Sequence, residues 1–478
     1  MTTVLLIYPF FLGRRDRSRF RFPPLGPAYV AAALRRAGHD VDLLDCTFLA
    51  RDEALDRAQA SGARVVGIYA MATLAPECRW FAERLRDRCD LLVAGGPLPT
   101  CEPEAFLGSF DAVVRGEGEQ AMCDVVAAYE AGADIGAVAG VVTRGADGAA
   151  ADPAAGVAAS PASGVAASPA AGVAPPAALA PCRPFVTDLD ALAFPARDLL
   201  PNEAYIAHGK KKDGRAVTTV MSTRGCPFAC EFCSNVVFGH SYRERSPGNV
   251  VDEIEEALAL GYDRISFADD VFTLDRRRVA AVCEEIARRG LRFSWECLGR
   301  VDTLDFETAR RMRQAGCDTI FFGIESGNDA VLRLMNKQIT IAQARAAVES
   351  AHGAGLRVGA FFIVYYPGES DDTVLDTLRF AGSLPLDYLG LTMPYPLPGT
   401  ALTERLAGRA RREWRQRGGL LTGHALTFDA DVSATKMRVT ILKGRLQFAL
   451  KRRLGKRLGP PALRAFEGPT DALLRRLR

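Results

Sequence analysis

The sequence predicts an α/β protein: a doubly wound N-terminal sheet of Rossmann or flavodoxin type, a partial (β/α)6 TIM-type barrel, and a helical C-terminal tail. Three observations predict it. Short apolar runs alternate with helical patterns through the first 145 residues, as in a parallel sheet wrapped by helices. A low-complexity stretch rich in Ala, Pro, Gly and Ser interrupts that pattern at 146–181. From Ala216 to about Tyr395 the alternation resumes as six βα units. The expected divisions are 1–145, the insert 146–181, a linker 182–212, the barrel 213–400 and a basic helical region 401–478.

A chain of 478 residues with 48% apolar and 24% charged residues has ample material for two or three cores. A net charge of +3 leaves no global footprint for nucleic acid. No apolar run reaches the 18 residues of a membrane span, and Met1-Thr-Thr leads straight into a strand-like Val4–Tyr8, so no signal peptide is expected. Twelve cysteines spread over so long a chain fit a reduced, cytoplasmic protein better than a disulfide scaffold.

In the first half, strands are predicted at 4–8, 41–44, 65–69, 91–94 and 112–114, with helices near 26–37, 76–90 and 119–130. Ligands of such sheets bind at the carboxyl ends of the strands. The loops there carry Pro9–Pro24, Met71–Leu74, Gly95-Gly-Pro-Leu-Pro99 and Arg115-Gly-Glu-Gly118. The insert repeats Gly-Val-Ala-Ala-Ser-Pro-Ala from Gly156 and again from Gly164; small residues with regular prolines predict an extended, flexible segment. In the second half, strands are predicted at 216–221, 264–268, 292–296, 319–322, 358–364 and 388–391. Helices are clearest at 249–260, 276–289, 306–314 and 341–354.

The first of these later strands runs into Cys226-Pro-Phe-Ala-Cys230-Glu-Phe-Cys233. Three thiols so spaced after a strand form a metal-ligand pattern, and thiolates are the ligands of iron–sulfur clusters. Three of them leave one iron of a 4Fe-4S cluster open for chemistry, with Phe232 as a shield from water. The competing explanations are buried cysteines or a zinc knuckle, whose fourth ligand would have to come from His240.

The CxxxCxxC run with its aromatic before the last cysteine resembles the signature of the radical SAM superfamily. The resemblance implies a cluster that binds S-adenosylmethionine (SAM) and cleaves it to a 5′-deoxyadenosyl radical. Together with this motif, the first half resembles the cobalamin-binding domain of cobalamin-dependent (class B) radical SAM methyltransferases. The matching pieces are Pro23-Pro24-Leu-Gly26, Arg36–Val41, Leu44-Asp45, Gly95-Gly96-Pro97 and Val114-Arg-Gly-Glu117-Gly118-Glu119. Pro24, Gly26, Gly95, Gly96, Glu117 and Gly118 are thereby expected at the corrin or its nucleotide tail. No Asp-x-His-x-x-Gly motif occurs, and His39 sits in a helix-to-strand turn that reads as solvated, so cobalamin is expected without a His lower ligand.

The same resemblance assigns residues to the sulfonium cofactor. Asp269 and Asp270 follow the second barrel strand and could hold its amino group, while Asp275 is the better helix cap. Gly323-Ile-Glu325-Ser326-Gly327 matches the family; Glu325 suits the ribose or amino group and Ser326 the carboxylate, with helix capping by Ser326 and Asn328 as the competing role. Arg300 could pair with that carboxylate, and Gly368 gives backbone freedom near the adenosine while Glu369 begins the next helix. Cys297 is a weak candidate, and Trp295, Phe361, Phe362 and Tyr366 are read as barrel core or corrin packing.

The tail from 401 holds 19 Lys or Arg against 6 Asp or Glu. A solvated helix face is the plain reading; an anionic substrate, an acidic partner or peripheral membrane contact are the alternatives. The expected function is methylation of an unactivated carbon of a small metabolite, with the substrate between the two cofactors and a flavodoxin- or ferredoxin-like protein as reductant. Cyclisation, ring contraction or oxidation with the same cofactors, and a cluster-bearing sensor without turnover, are the rivals. Nucleic acid is not expected as a partner.

Overall fold

The computed structural model describes residues 2–13, 21–144, 150–151, 183–409 and 428–477. They form two compact units, 1–227 with 234–266, and 228–233 with 267–478.

The first unit is built on β1 (Thr3–Tyr8), α1 (Leu25–Arg36), β2 (Asp40–Asp45), α2 (Arg51–Ala60), β3 (Val65–Tyr69) and α3 (Ala75–Leu85). There follow β4 (Leu91–Gly95), α4 (Pro97–Cys101), α5 (Glu104–Leu107), β5 (Ala112–Val114), α6 (Gly118–Ala131), β6 (Val141–Arg144) and β7 (Ala150–Ala151). The sheet order is β2-β1-β3-β4-β5-β6-β7. Pairings from β2 to β5 are parallel, as expected, and β6 and β7 add an antiparallel edge. Strand residues alternate between two cores because successive side chains point to opposite faces. Leu5 and Ile7 join Ala54 and Phe81 on one face; Val4 and Leu6 join Leu34 and Val125 on the other. The sheet is thus doubly wound.

The stretch 182–212 is not a free linker. Ala196 N donates to Ala28 O at 3.0 Å, Arg36 donates to Ala191 O at 2.7 Å, and Ala196 and Leu200 are buried in the core that contains Leu34. α7 (Asn202–Asp213) then sends the Tyr205 hydroxyl to Asp45 at 2.7 Å. His39 is not solvated either: its side chain is 9% exposed and stands 3.8 Å from Glu130. Of the insert 146–181 only β7 is described, so its expected flexibility lies outside the described residues.

The later elements are β8 (Val217–Val220), β9 (Thr223–Arg224), β10 (Arg243–Glu244), α8 (Pro247–Ala259), β11 (Arg264–Phe267) and α9 (Arg276–Arg288). Next come β12 (Ser294–Gly299), α10 (Phe306–Gln314), β13 (Cys317–Glu325), α11 (Asp329–Leu334), α12 (Ile341–Gly353) and β14 (Arg357–Ile363). The chain ends with α13 (Asp371–Ser383), β15 (Tyr388–Thr392), α14 (Ala401–Arg405) and α15 (Ala434–Arg476). Six strands are neighbours in the order β8-β11-β12-β13-β14-β15, with parallel pairs from β12 onward, which is the open barrel the sequence predicts. Asp275 caps α9 through the N–H groups of Arg277 and Arg278, as read from the sequence. Trp295, Phe362 and Tyr366 are buried, as core residues should be. One strand differs. β13 runs through Glu325, which the sequence places in a loop, because a register shift between Gly323 and Glu325 absorbs the irregularity and leaves Glu325 at φ 71°.

The tail is a hairpin, not one rod. Lys443 Nζ lies 2.8 Å from Asp471 and Gln447 donates to Glu467 at 2.9 Å. Residues so far apart in a straight helix would be separated by roughly 30 Å or more at 1.5 Å per residue. The chain therefore reverses between Gln447 and Glu467. The first arm packs on β15 and α13. A Cβ on Gly444 would collide with Leu391 and come within 2.9 Å of Leu378. Lys436 pairs with Asp371 and Lys451 donates to the carbonyls of Gly382 and Leu384. Three of the tail's lysines, Lys436, Lys443 and Lys451, are therefore spent inside the fold.

Candidate functional site

In the first unit a pocket of about 1060 Å³, counting the open space at its mouth, lies at the carboxyl ends of the parallel strands. Its walls are mostly apolar, with Ile68, Val93, Val114 and Met122 among them. Gly26, Gly95, Gly96, Glu117 and Gly118 line it, whereas Pro24 caps α1 and is not in the lining. A Cβ added at Gly95 would meet nothing within 4 Å, so a side chain there would stand in the cavity itself.

The polar end of the pocket is an ionic network that sequence reasoning missed. Arg224, 3% exposed, donates to Glu117 at 2.9 Å and to Glu119 at 2.5 Å, with its guanidinium between the rings of Tyr29 and Phe238. Burial works against the arginine's charge, and Glu119 and Glu117 more than offset it, holding its pKa above the ordinary value. Glu117 also accepts from Arg243 at 2.8 Å and from Val186 N at 2.7 Å. Its carboxylate therefore fastens the pocket rim to later parts of the same unit. Gly225, next to Arg224, is at φ 85°, and a Cβ there would collide with the carbonyl oxygen of Ser241; no other residue fits before Cys226.

Cys226 belongs to the first unit, where its N–H donates to Gly239 O at 3.4 Å. Cys230 and Cys233 belong to the second. Cys226 and Cys230 are partly exposed, Cys233 is exposed, and every described cysteine is a free thiol. Among the described residues no three His, Cys, Asp or Glu side chains converge closely enough to hold a metal ion. The backbone around Cys230 is nonetheless fixed at several points. Glu231 N donates to Met335 O at 3.0 Å, and Asn336 Nδ2 donates to Ala229 O at 2.7 Å. The Glu231 carboxylate accepts from the Tyr366 hydroxyl at 2.7 Å and pairs with Arg405 at 2.8 Å. Phe232 meets Tyr366 edge-on, and Arg300 lies 3.6 Å over the ring of Phe228.

Lys337, to which sequence reasoning assigns no role, sits beside this loop. Its ammonium is 3.2 Å from Glu325 and 5.7 Å from the Phe232 ring. Burial opposes its charge, but Glu325 and Cys230 favour it and hold the ammonium above its ordinary pKa. Asn336 and Gln338 on either side are left-handed, at φ 50° and 56°, as are Glu325 and Tyr365. Non-glycine residues seldom adopt this conformation, and such strain gathers at functional sites.

The other expected residues fall into two groups. Asp269, 1% exposed, and Glu325, 8% exposed, are buried acids at strand ends, while Asp270 is exposed. Ser326 and Arg300 are already engaged. The Ser326 hydroxyl is 3.0 Å from Thr377 Oγ1 and accepts from Asn328 N, and Asn328 caps α11. Arg300 donates to the carbonyls of Lys337 and Gln338 and pairs with Asp302 at 2.9 Å, so it shapes the lysine loop. Burial and neighbouring Cys317 push the Cys297 thiol up, which makes it inert. Gly368 is at φ 98°.

Glu369 does not begin a helix; Ser370 caps α13 in a capping box. Its carboxyl accepts from Tyr366 N at 2.7 Å, and burial pushes its pKa from 4.5 to about 7. An unfolded glutamate ionises while the folded one stays protonated, so stability falls as pH rises from 4.5 to about 7 and then levels. That costs about 3 kcal/mol at pH near 8. Glu369→Gln is expected to melt well above the parent in mildly alkaline buffer and nearly with it in acid. Equal differences at both ends would show that this carboxyl does not titrate with folding.

The chain matches two protein families: the B12 binding domain over 14–126 and the radical SAM superfamily over 220–381. It is 32% identical to an uncharacterised methyltransferase of Pyrococcus horikoshii, over 80% of this chain and 78% of that one. It is 29% identical to the anaerobic magnesium-protoporphyrin IX monomethyl ester cyclase of Rubrivivax gelatinosus, over 85% and 70%. The solved radical S-adenosylmethionine methyltransferase TsrM of Kitasatospora setae, with cobalamin and a [4Fe-4S] cluster bound, superposes with a TM-score of 0.68. It shares 20% identity over 85% of this chain and 78% of its own, a likeness of fold.

Proposed function

Because the chain belongs to the cobalamin-dependent radical SAM methyltransferase family, we propose that it methylates an unactivated carbon of a small metabolite. One observation carries this reading. An apolar, glycine-floored pocket in one unit, which also carries Cys226, accompanies in the other the free thiols of Cys230 and Cys233 on a stretch pinned beside a buried Lys337–Glu325 pair.

When bound, the cluster supplies the electron that opens the sulfonium cofactor, and the corrin supplies the methyl group. The residues present suit both groups. Cys226, Cys230 and Cys233 are accessible thiol donors, and Gly26, Gly95, Gly96 and Gly118 leave the pocket free of side chains. Glu325, Asp269 and Asp270 are the acids assigned to the amino and hydroxyl groups of SAM. Lys337 pairs with Glu325 at 3.2 Å and places a cation by Cys230, and Arg300 shapes the lysine loop by binding its carbonyls. Phe232 and Tyr366 shield that loop from water, which a radical reaction requires.

The resemblance to the cyclase of R. gelatinosus favours a second reading, in which the same cofactors drive ring formation or oxidation without methyl transfer. SAM labelled in its methyl group separates the two. Label in the product is the expected result; 5′-deoxyadenosine without label transfer gives the reaction to the second reading. If no 5′-deoxyadenosine forms after reduction, the chain is a sensor or carrier.

The reductant is a flavodoxin- or ferredoxin-like protein, and the free thiols suit a reducing cytoplasm. Among the described residues no helix is long and apolar enough to cross a membrane. The tail's first role is to pack on β15 and α13, since Lys436 and Lys451 are engaged there while Lys443 ties the two arms of the tail through Asp471.

A further inference from the structure

Glu119 is 6% exposed and lines the apolar pocket of the first unit. One of its carboxylate oxygens accepts from Arg224. The other, Oε2, is shielded from solvent and has no hydrogen-bond partner among the described residues. Glu117 beside it differs, with both oxygens taken, by Arg224 and Arg243 on one and by Val186 N on the other. A buried carboxylate oxygen without a donor costs free energy that the fold must recover elsewhere. The cost is met when a ligand brings the donor.

We propose that Glu119 selects the ligand of this pocket, its Oε2 accepting a hydrogen bond from a hydroxyl or amide N–H on the buried end of the corrinoid. The inference rests on the corrin reading above. Two parts of such a ligand carry the chemistry: the sugar hydroxyls of the nucleotide tail and the amides around the ring. Arg224 is then a positioning residue. It fixes one oxygen of Glu119 and leaves the other for the ligand, while Met122 and Val114 exclude water around it.

The test uses the full chain, purified without oxygen, and two probes titrated by their visible absorbance: cobalamin, and cobinamide, which lacks the nucleotide tail. Glu119→Gln keeps an acceptor for Arg224 but offers the ligand an amide donor in place of an acceptor. A hydrogen bond to a charged group is worth about 1.5–3 kcal/mol, so cobalamin should bind about 10- to 100-fold more weakly. Unchanged cobinamide binding assigns the donor to the tail; equal weakening of both assigns it to a ring amide. Glu119→Asp keeps the charge and shortens the reach, and should lose affinity to a smaller degree; it decides the matter if the Gln variant does not fold. Parental affinity for both probes in a folded variant overturns the proposal. A parent chain that binds neither probe overturns the corrin reading and this inference together.

Discussion

Changing Cys226, Cys230 and Cys233 together to Ala should reduce iron and sulfide after anaerobic reconstitution to background and abolish 5′-deoxyadenosine formation. Among the described residues no group of three His, Cys, Asp or Glu is gathered closely enough to hold a metal ion, so no preformed second set of donors stands ready to replace them. The fold should survive. The loop is held by Glu231, Asn336, Tyr366, Arg405 and the Phe228–Arg300 stack, and none of these contacts uses a thiol. Melting should therefore change by no more than about 1 kcal/mol equivalent, as for other substitutions away from packed cores. Cluster iron or SAM cleavage retained in a folded triple variant would falsify the assignment of these cysteines.

Removing Glu253 should be the most destabilising single change outside the packed cores. The residue is fully buried and binds two arginines, Arg197 at 2.5 Å through one oxygen and Arg245 through the other. Burial opposes the charge of Arg245, and Glu253 restores it, holding the arginine above its ordinary pKa. Glu253→Leu strands both guanidinium groups, and an uncompensated buried charge costs about 3–5 kcal/mol. Arg197 also donates to the Thr218 hydroxyl and the Thr219 carbonyl, and Arg245 to the Met221 carbonyl, so the network fixes β8 and the residue just beyond it. Loss of Glu253 should thus lower both the urea midpoint and the cluster content. A midpoint within about 1 kcal/mol of the parent would mean that the arginines find other partners.

What could be read from sequence was what repeats or lies close together along the chain. Val4–Ile7 and Val65–Ile68 announce buried strands because every position is apolar, and Cys226, Cys230 and Cys233 announce themselves by spacing. Pairings between distant residues carry no such mark. Arg224 meets Glu117 and Glu119 across more than a hundred residues, and Lys337 meets the cysteine loop at a similar remove. The strand-end position of Arg300 suggests a clamp for a carboxylate; that it also holds the carbonyls of Lys337 and Gln338 is visible only in the fold. The strand that carries Glu325 ends in an irregular register, which alternation cannot reveal. The hairpin of the tail was hidden for a different reason. Its basic residues read as a solvated face until the acids that pair with them, Asp371 and Asp471, are seen in contact.

That hairpin has a consequence for the half-closed barrel. β15 is the last strand of its sheet, and an unpaired edge strand is a template on which a second chain can add. The arm seated on β15 through Gly444, and tied by Lys451 to the carbonyls of Gly382 and Leu384, covers this side of the barrel. The first arm of the tail thus occupies a surface that would otherwise be open to a neighbour. A chain shortened before Ala434 would exchange an internal cover for contact with its neighbours, and inactivity of such a deletion would report aggregation rather than a lost chemical role.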